Sequence, residues 1–176
     1  RVSHLFVLEF EGDGGQLRYH DLFREFLQAC LSRQDEARFR DLTNRAARAY
    51  ASRGEWERAA SRYLRLREYE AVVEIIQQTG VPLFEAGRWD TLAGWIDALP
   101  EVIREARPQF LVLRGKIHEG RGSYGPALAL FERAEKAFSA AGDLARAALA
   151  LATSGSIFRF QGRHADAVAC CQQALA

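Results

Sequence analysis

The chain has no methionine in its 176 residues, opens on Arg1 and stops inside a helical pattern, "ADAVACCQQALA"; we read it as an excised piece of a longer protein. No run approaches the roughly 18 consecutive apolar residues of a membrane helix, and no basic-then-apolar leader is present. Both absences argue against a membrane partner or a signal segment within this piece. Cysteine is scarce. Cys30, Cys170 and Cys171 are odd in number with two adjacent, which is neither a disulfide framework nor a metal spacing, and a reducing cytoplasm fits that usage. Lysine is scarcer still, since Lys116 and Lys136 are the only lysines among 24 basic residues, which we take as genome composition bias. No G-x-x-x-x-G-K-[ST] loop occurs, so the fragment alone is expected to need no cofactor and neither to bind nor to hydrolyse nucleotide.

The net charge of +1 carries no global nucleic-acid signature, but the distribution is uneven. Residues 33–67 hold ten arginines against five acids, and residues 68–105 hold two arginines against eight acids. Two readings stay open: solvated faces on adjacent helices that attract each other weakly, or a docking surface for another domain of the parent chain. A third, an arginine-rich nucleic-acid surface, is opposed by the interleaved acids.

Glycine recurs with a period. "GKIHEGRGSYGPA" (115–127) and "GSIFRFQGRHADA" (155–167) each carry glycines seven apart and an alanine five past the second. "GVPLFEAGRWDTL" (80–92) keeps the spacing with Leu92 in the alanine's place, and "ARAYASRGEWERA" (47–59) puts Ala47 at the first glycine position. Anchored on Gly54, Gly87, Gly122 and Gly162, the intervals are 33, 35 and 40 residues, the range of helical repeats. A ring residue stands two past each anchor: Trp56, Trp89, Tyr124 and His164. Gly115 falls mid-helix, where glycine is worse than alanine by roughly 0.8–1.0 kcal/mol, so packing must want it. The expectation is that Gly115 and Gly155 face Ala127 and Ala167, while the anchor glycines take a positive φ in the turns.

The first twenty residues differ. Phe6, Leu8 and Phe10 alternate, Gly12-Asp13-Gly14-Gly15 turns, and Leu17 and Tyr19 return, which reads as a β-hairpin. From Asp21, a candidate cap, the period becomes helical, with Leu22, Phe23, Phe26, Leu27 and Cys30 forming a stripe over about 21–33. Further helices are expected near 36–53, 56–66, 69–78, 82–87, 89–98, 109–121, 125–141, 144–161 and 164–176. Pro100 and Pro108 bracket a short irregular or helical link. Cys170 and Cys171 fall on an apolar helix face and read as core. Trp56, Trp89 and Trp95 are at packing spacing. His4, His20, His118 and His164 are scattered without ligand spacing, so no metal site is expected. Nor does any catalytic constellation appear, and "GDGG" lacks the helical sequel of a phosphate loop.

The spacing resembles the tetratricopeptide repeat. On that pattern the small position of each first helix is Ala47, Gly80, Gly115 and Gly155, followed by Tyr50, Leu83, His118 and Phe158. The second-helix positions are Ala59, Tyr63, Leu66; Leu92, Ile96, Leu99; Ala127, Phe131, Ala134; and Ala167, Cys171, Ala174. The last two repeats fit well. The first two depart through Leu66, Leu92 and Leu99, through "REYEAV", and through Pro82, which suggests that Gly80 lies just before its helix. The implied fold class is all-α: an antiparallel helical-hairpin, right-handed superhelix, with a short N-terminal β-hairpin left from a winged-helix module.

A second resemblance covers nearly the whole chain. "LRYHDLFREFLQACL", "AARAYASRGEWERAASRYL", "GRWDTLAGWIDALP" and "ARPQFLVLRGKI" look like the MalT-like, LuxR-type ATP-dependent regulators of bacteria. The likeness implies that residues 1–33 end the winged-helix module, that 34–107 are irregular helical repeats, and that 108–176 are tetratricopeptide-like repeats of a sensor. ATP or ADP would then bind elsewhere in the full-length protein, and DNA only through a C-terminal helix-turn-helix absent from this piece. "YHDLFREF" also resembles the Met-His-Asp motif of signalling ATPases, with His20 as the histidine that faces the ADP β-phosphate, Asp21 beside it and Tyr19 replacing methionine. Against this, His20 can simply end a strand and cap a helix. The implied function is signal sensing, non-enzymatic and cytoplasmic. A small-molecule inducer or a regulatory protein would bind a groove mapped to Gln109, Lys116, Glu119, Ser156 and Arg159. The alternative is an adaptor scaffold with no nucleotide switch. Self-association is expected through the last helix, which lacks a following repeat to cover it.

Overall fold

The computed structural model describes residues 7–10 and 16–175. They divide between Glu68 and Tyr69 into two compact units. In the first unit, β1 (Val7–Phe10) pairs antiparallel with β2 (Gln16–Tyr19), Val7 opposite Tyr19 and Phe10 opposite Gln16. The expected turn at Gly12–Gly15, and also Phe6 and His4, lie outside the described residues. Three helices follow: α1 (Asp21–Gln34), α2 (Glu36–Ala51) and α3 (Trp56–Leu66). Asp21 is the first helical residue of α1 and not its cap; its carboxylate pairs with Arg24 at 3.0 Å. Asp35 does cap α2, accepting the backbone N–H of Arg38 at 2.8 Å, a contact worth about 1 kcal/mol.

The stripe read on α1 is not a buried one. Leu22 and Phe26 are largely exposed, and α1 has no buried residue. Between α2 and α3, arginine guanidinium groups cover rings. Arg62 sits 4.5 Å and Arg58 5.5 Å from the Tyr50 ring centre, and Arg65 4.9 Å from that of Phe39. Part of the basic stretch thus roofs its own unit.

The second unit is built wholly of helices: α4 (Tyr69–Glu85), α5 (Trp89–Asp97), α6 (Glu101–Glu105), α7 (Pro108–Gly120), α8 (Tyr124–Ala140), α9 (Leu144–Phe160) and α10 (His164–Leu175). The fold is all-α, of antiparallel hairpins α4/α5, α7/α8 and α9/α10, with α8 also against α9. One expectation is corrected here. Instead of two helices broken at Gly80, α4 runs unbroken through Gly80 and Pro82. Pro82 removes a backbone donor in the last turn, but Thr79 and Gly80 are buried just before it, and that burial holds the turn in place.

The turn glycines Gly54, Gly87, Gly122 and Gly162 have φ between +71° and +73°, where a Cβ is penalised. Each joins the two helices of one hairpin. Gly142 (φ +75°) and Arg67 (φ +59°) take the same conformation between hairpins, where the glycine period gave no signal.

Close approach at Gly115 has a different partner from the one expected. A β-carbon there would stand 2.6 Å from Cε1 of Phe131, so the ring itself occupies the space. Ala127 joins Phe131 and Ile157 in the same core cluster, with Val112, Tyr124 and Leu128 packed on it. At Gly155 the expected neighbour is found, the carbonyl oxygen of Ala167 lying 3.4 Å from where a β-carbon would stand. The second-helix positions of the first three repeats are all buried: Ala59, Tyr63, Leu66, Leu92, Ile96, Leu99, Ala127, Phe131 and Ala134. Those of the last are not. Ala167 and Ala174 are half-buried and Cys171 is exposed, since among the described residues α10 packs chiefly on α9. The cysteine pair is therefore not core; partial burial pushes the Cys170 thiol up, helped by Cys171 and Asp166.

Glu68 pairs upstream with Arg40 at 2.6 Å, but four other acids of the stretch find partners downstream, within the second unit. Glu70 pairs with Arg107 at 2.6 Å, Asp97 with Arg114 at 2.7 Å, Glu105 with Arg133 at 3.2 Å, and Asp90 with Arg121. These pairs are solvent-facing, each worth about 0–1 kcal/mol.

Candidate functional site

Three first helices, α4, α7 and α9, together with Phe138 of α8, line a half-open apolar cavity of about 280 Å³. Its shape follows from small and large residues at the right places. Gly80 lets α7 approach until Leu113 Cδ1 would lie 3.3 Å from any β-carbon there. Phe110 and Phe138, both buried, wall the cavity, and Val81 and Leu149, each 59% exposed, line its open side. Two large aliphatic side chains are thus exposed beside a concave apolar wall.

Two charged residues line the cavity, Lys116 from α7 and Arg146 from α9. Arg146 reaches Asp143 at 3.3 Å and lies 5.8 Å from the centre of the Phe138 ring. Asp143 also caps α9, accepting the backbone N–H of Arg146 at 3.2 Å. Lys116 makes no salt bridge among the described residues, and Glu119, one turn on, feels its charge. Burial raises the Glu119 carboxyl above the usual carboxylate range, and Lys116 partly offsets that.

Of the residues mapped from sequence, Gln109 and Lys116 line this cavity. Ser156 and Arg159 do not. They line a second, more open groove between α9 and α10, with Val168, Cys171 and Leu175 opposite. Glu119 lines neither groove. The structure thus divides the expected single surface in two. The Ser156 hydroxyl donates to the Ala152 carbonyl at 3.2 Å, and Arg159 lies over Phe160 at 5.2 Å. His20 and Asp21 stand together at the start of α1, both exposed. His20 holds the cap position, its carbonyl accepting from the Arg24 N–H at 2.9 Å, but its side chain makes no cap bond.

Sequence reading missed Val81, Phe138, Arg146 and Leu149. A signal existed in "LARAALALAT": apolar residues surround α9 on every side, more than one buried face needs. A third cleft, polar, lies among α5 to α8, with Asp97, Glu101, Arg104, Arg114, His118 and Arg133; most of its charges are engaged in the pairs described above. Among the described residues no helix is long and apolar enough to cross a membrane.

Comparison with known proteins places this geometry. Residues 1–39 match the MalT winged helix domain. The HTH-type transcriptional regulator MalT of Vibrio parahaemolyticus is 29% identical over 136 residues, covering 75% of this chain and 15% of the relative. The serine/threonine-protein kinase PknK of Mycobacterium tuberculosis is 28% identical over 139 residues, covering 78% of this chain and 12% of the kinase. The chain thus spans a small part of the curated relatives it matches. The solved structure of a MamA RS-1 ArsTM double mutant aligns with a TM-score of 0.53 at 18% identity, over 88% of this chain and 91% of that one, a likeness of fold. The chain is similar to a segment of MalT-type transcription regulators, from the end of the winged helix into a tetratricopeptide-like helical array.

Proposed function

We propose that this MalT-like segment is the signal-sensing part of a LuxR/MalT-type transcription regulator. An inducer, small molecule or regulatory protein, binds the surface made by α4, α7 and α9. Binding favours one of two states of an ATPase module carried elsewhere in the parent chain, and the difference in affinity for the two states is the driving force. The observation that carries this reading is the apolar cavity shared by three consecutive first helices. A ligand bridging them adds a link among first helices to the contacts that α5 makes with α7 and α8 with α9. Residues 1–33 complete the winged helix, 34–107 form the irregular repeats and 108–176 the regular ones. His20 and Asp21 face the nucleotide in the resting state, a role supported by the exposed His20 side chain, which is left free of capping.

The test needs no knowledge of the inducer. In the full-length regulator, substitutions that switch on a promoter reporter without inducer should concentrate at cavity positions such as Gly80, Leu113 and Leu149. An even scatter along the segment would reject the reading. Separately, His20→Ala should weaken ADP retention by the full-length protein, and unchanged retention would remove that residue from the switch.

A further inference from the structure

We propose that the α4/α7/α9 cavity binds a small amphiphilic anion, with an apolar body of roughly eight to ten carbons and one carboxylate-type head. The inference rests on the sensing role above and gives that site its chemistry. Size sets the body: about 280 Å³ is nearly twice the ~150 Å³ that encloses benzene in a protein interior, enough for a bicyclic ring or a medium alkyl chain. Lining sets its polarity, since Phe110, Leu113, Phe138 and Leu149 offer only carbon to whatever enters.

Charge sets the head. The charged residues lining the cavity are Lys116 and Arg146, and no carboxylate lines it. Lys116 is half-buried beside the apolar wall and has no salt-bridge partner among the described residues, though Glu119, one turn on, feels its charge. Arg146 directs one nitrogen to Asp143 at 3.3 Å, and a guanidinium has five N–H donors, so the rest stay available. The ring of Phe138 holds that guanidinium beside the cavity. A cationic guest would be repelled by both groups. A neutral guest could bond the Gln77 and Gln109 amides but would gain nothing from either charge. An anion on an apolar stem satisfies both groups while filling the cavity, through charge-assisted bonds stronger than neutral ones.

Decanoate, decanol and decyltrimethylammonium serve as probes, titrated calorimetrically into the full-length protein below their aggregation concentrations. Decanoate is expected to bind saturably, tighter than decanol by roughly tenfold or more, with decyltrimethylammonium weakest. Lys116→Gln with Arg146→Gln should erase the decanoate preference and leave decanol binding in place, a check that the cavity is still folded. Arg159→Gln, in the other groove, should change nothing. Equal binding of decanoate and decanol, or loss caused by Arg159→Gln and not by the pair, would overturn the proposal. If no probe binds while inducer-independent substitutions still map to the cavity, this ligand chemistry is wrong and the sensing role survives. If neither result appears, both fall.

Discussion

Gly115 and Gly155 occupy the same place in their repeats, yet space around them differs enough to reverse the effect of one methyl group. Alanine improves a helix interior by roughly 0.8–1.0 kcal/mol over glycine. At Gly155 the nearest atoms would lie 3.4 Å away, in ordinary contact, so Gly155→Ala should be neutral or slightly stabilising. At Gly115 the added carbon would meet Phe131, fully buried, at 2.6 Å. Forcing that ring aside should make Gly115→Ala destabilising by about 1–3 kcal/mol, as overpacking usually is. Chemical denaturation of the two variants checks both signs, and a stabilised Gly115→Ala would contradict the packing described. The sequence marked both glycines as special through their spacing. It could not say which large residue each one admits, because that depends on the helix crossing and not on the repeat.

At the scale of elements, most helices were legible because turn glycines and apolar periodicity agree. Four φ-positive glycines punctuate the hairpins, and the apolar positions between them keep a helical period. The exception, α4, shows why punctuation can mislead. Gly80 followed by Pro82 reads as a break, but buried neighbours on the same turn outweigh the lost hydrogen bond. Turns between hairpins were less legible, since one of them uses Arg67 at φ +59° where a glycine would be easier. A left-handed L-residue carries about 1–2 kcal/mol of strain, offset in part by the freedom glycine adds to the unfolded chain. Arg67→Gly should therefore stabilise the protein by about 0.5–1 kcal/mol, read as a higher denaturation midpoint at unchanged slope. The cavity was half legible: Gln109 and Lys116 follow from repeat position, whereas Arg146 and Leu149 come from the next repeat and depend on how closely α9 approaches α7.

For the second unit as a whole, the repeats share one logic: each hairpin packs on the next, α5 on α7 and α8 on α9. The last hairpin has no successor among the described residues, and Phe160 (71% exposed) and Leu175 (89%) show it. The chain taken alone is expected to self-associate through α10. Val168→Glu with Leu175→Glu should return it to a monomer in sedimentation, and a wild-type chain that stays monomeric at high concentration would contradict this. The hand-over between hairpins also leaves an optical trace. The Trp89 indole donates to the Phe84 carbonyl at 2.9 Å, stacks on that ring at 5.8 Å, and has its far edge so close to Gly120 that a methyl there would sit 2.7 Å from it. One fluorophore therefore spans α4, α5 and the end of α7, so any guest that shifts one hairpin against the next will alter its emission without an added dye.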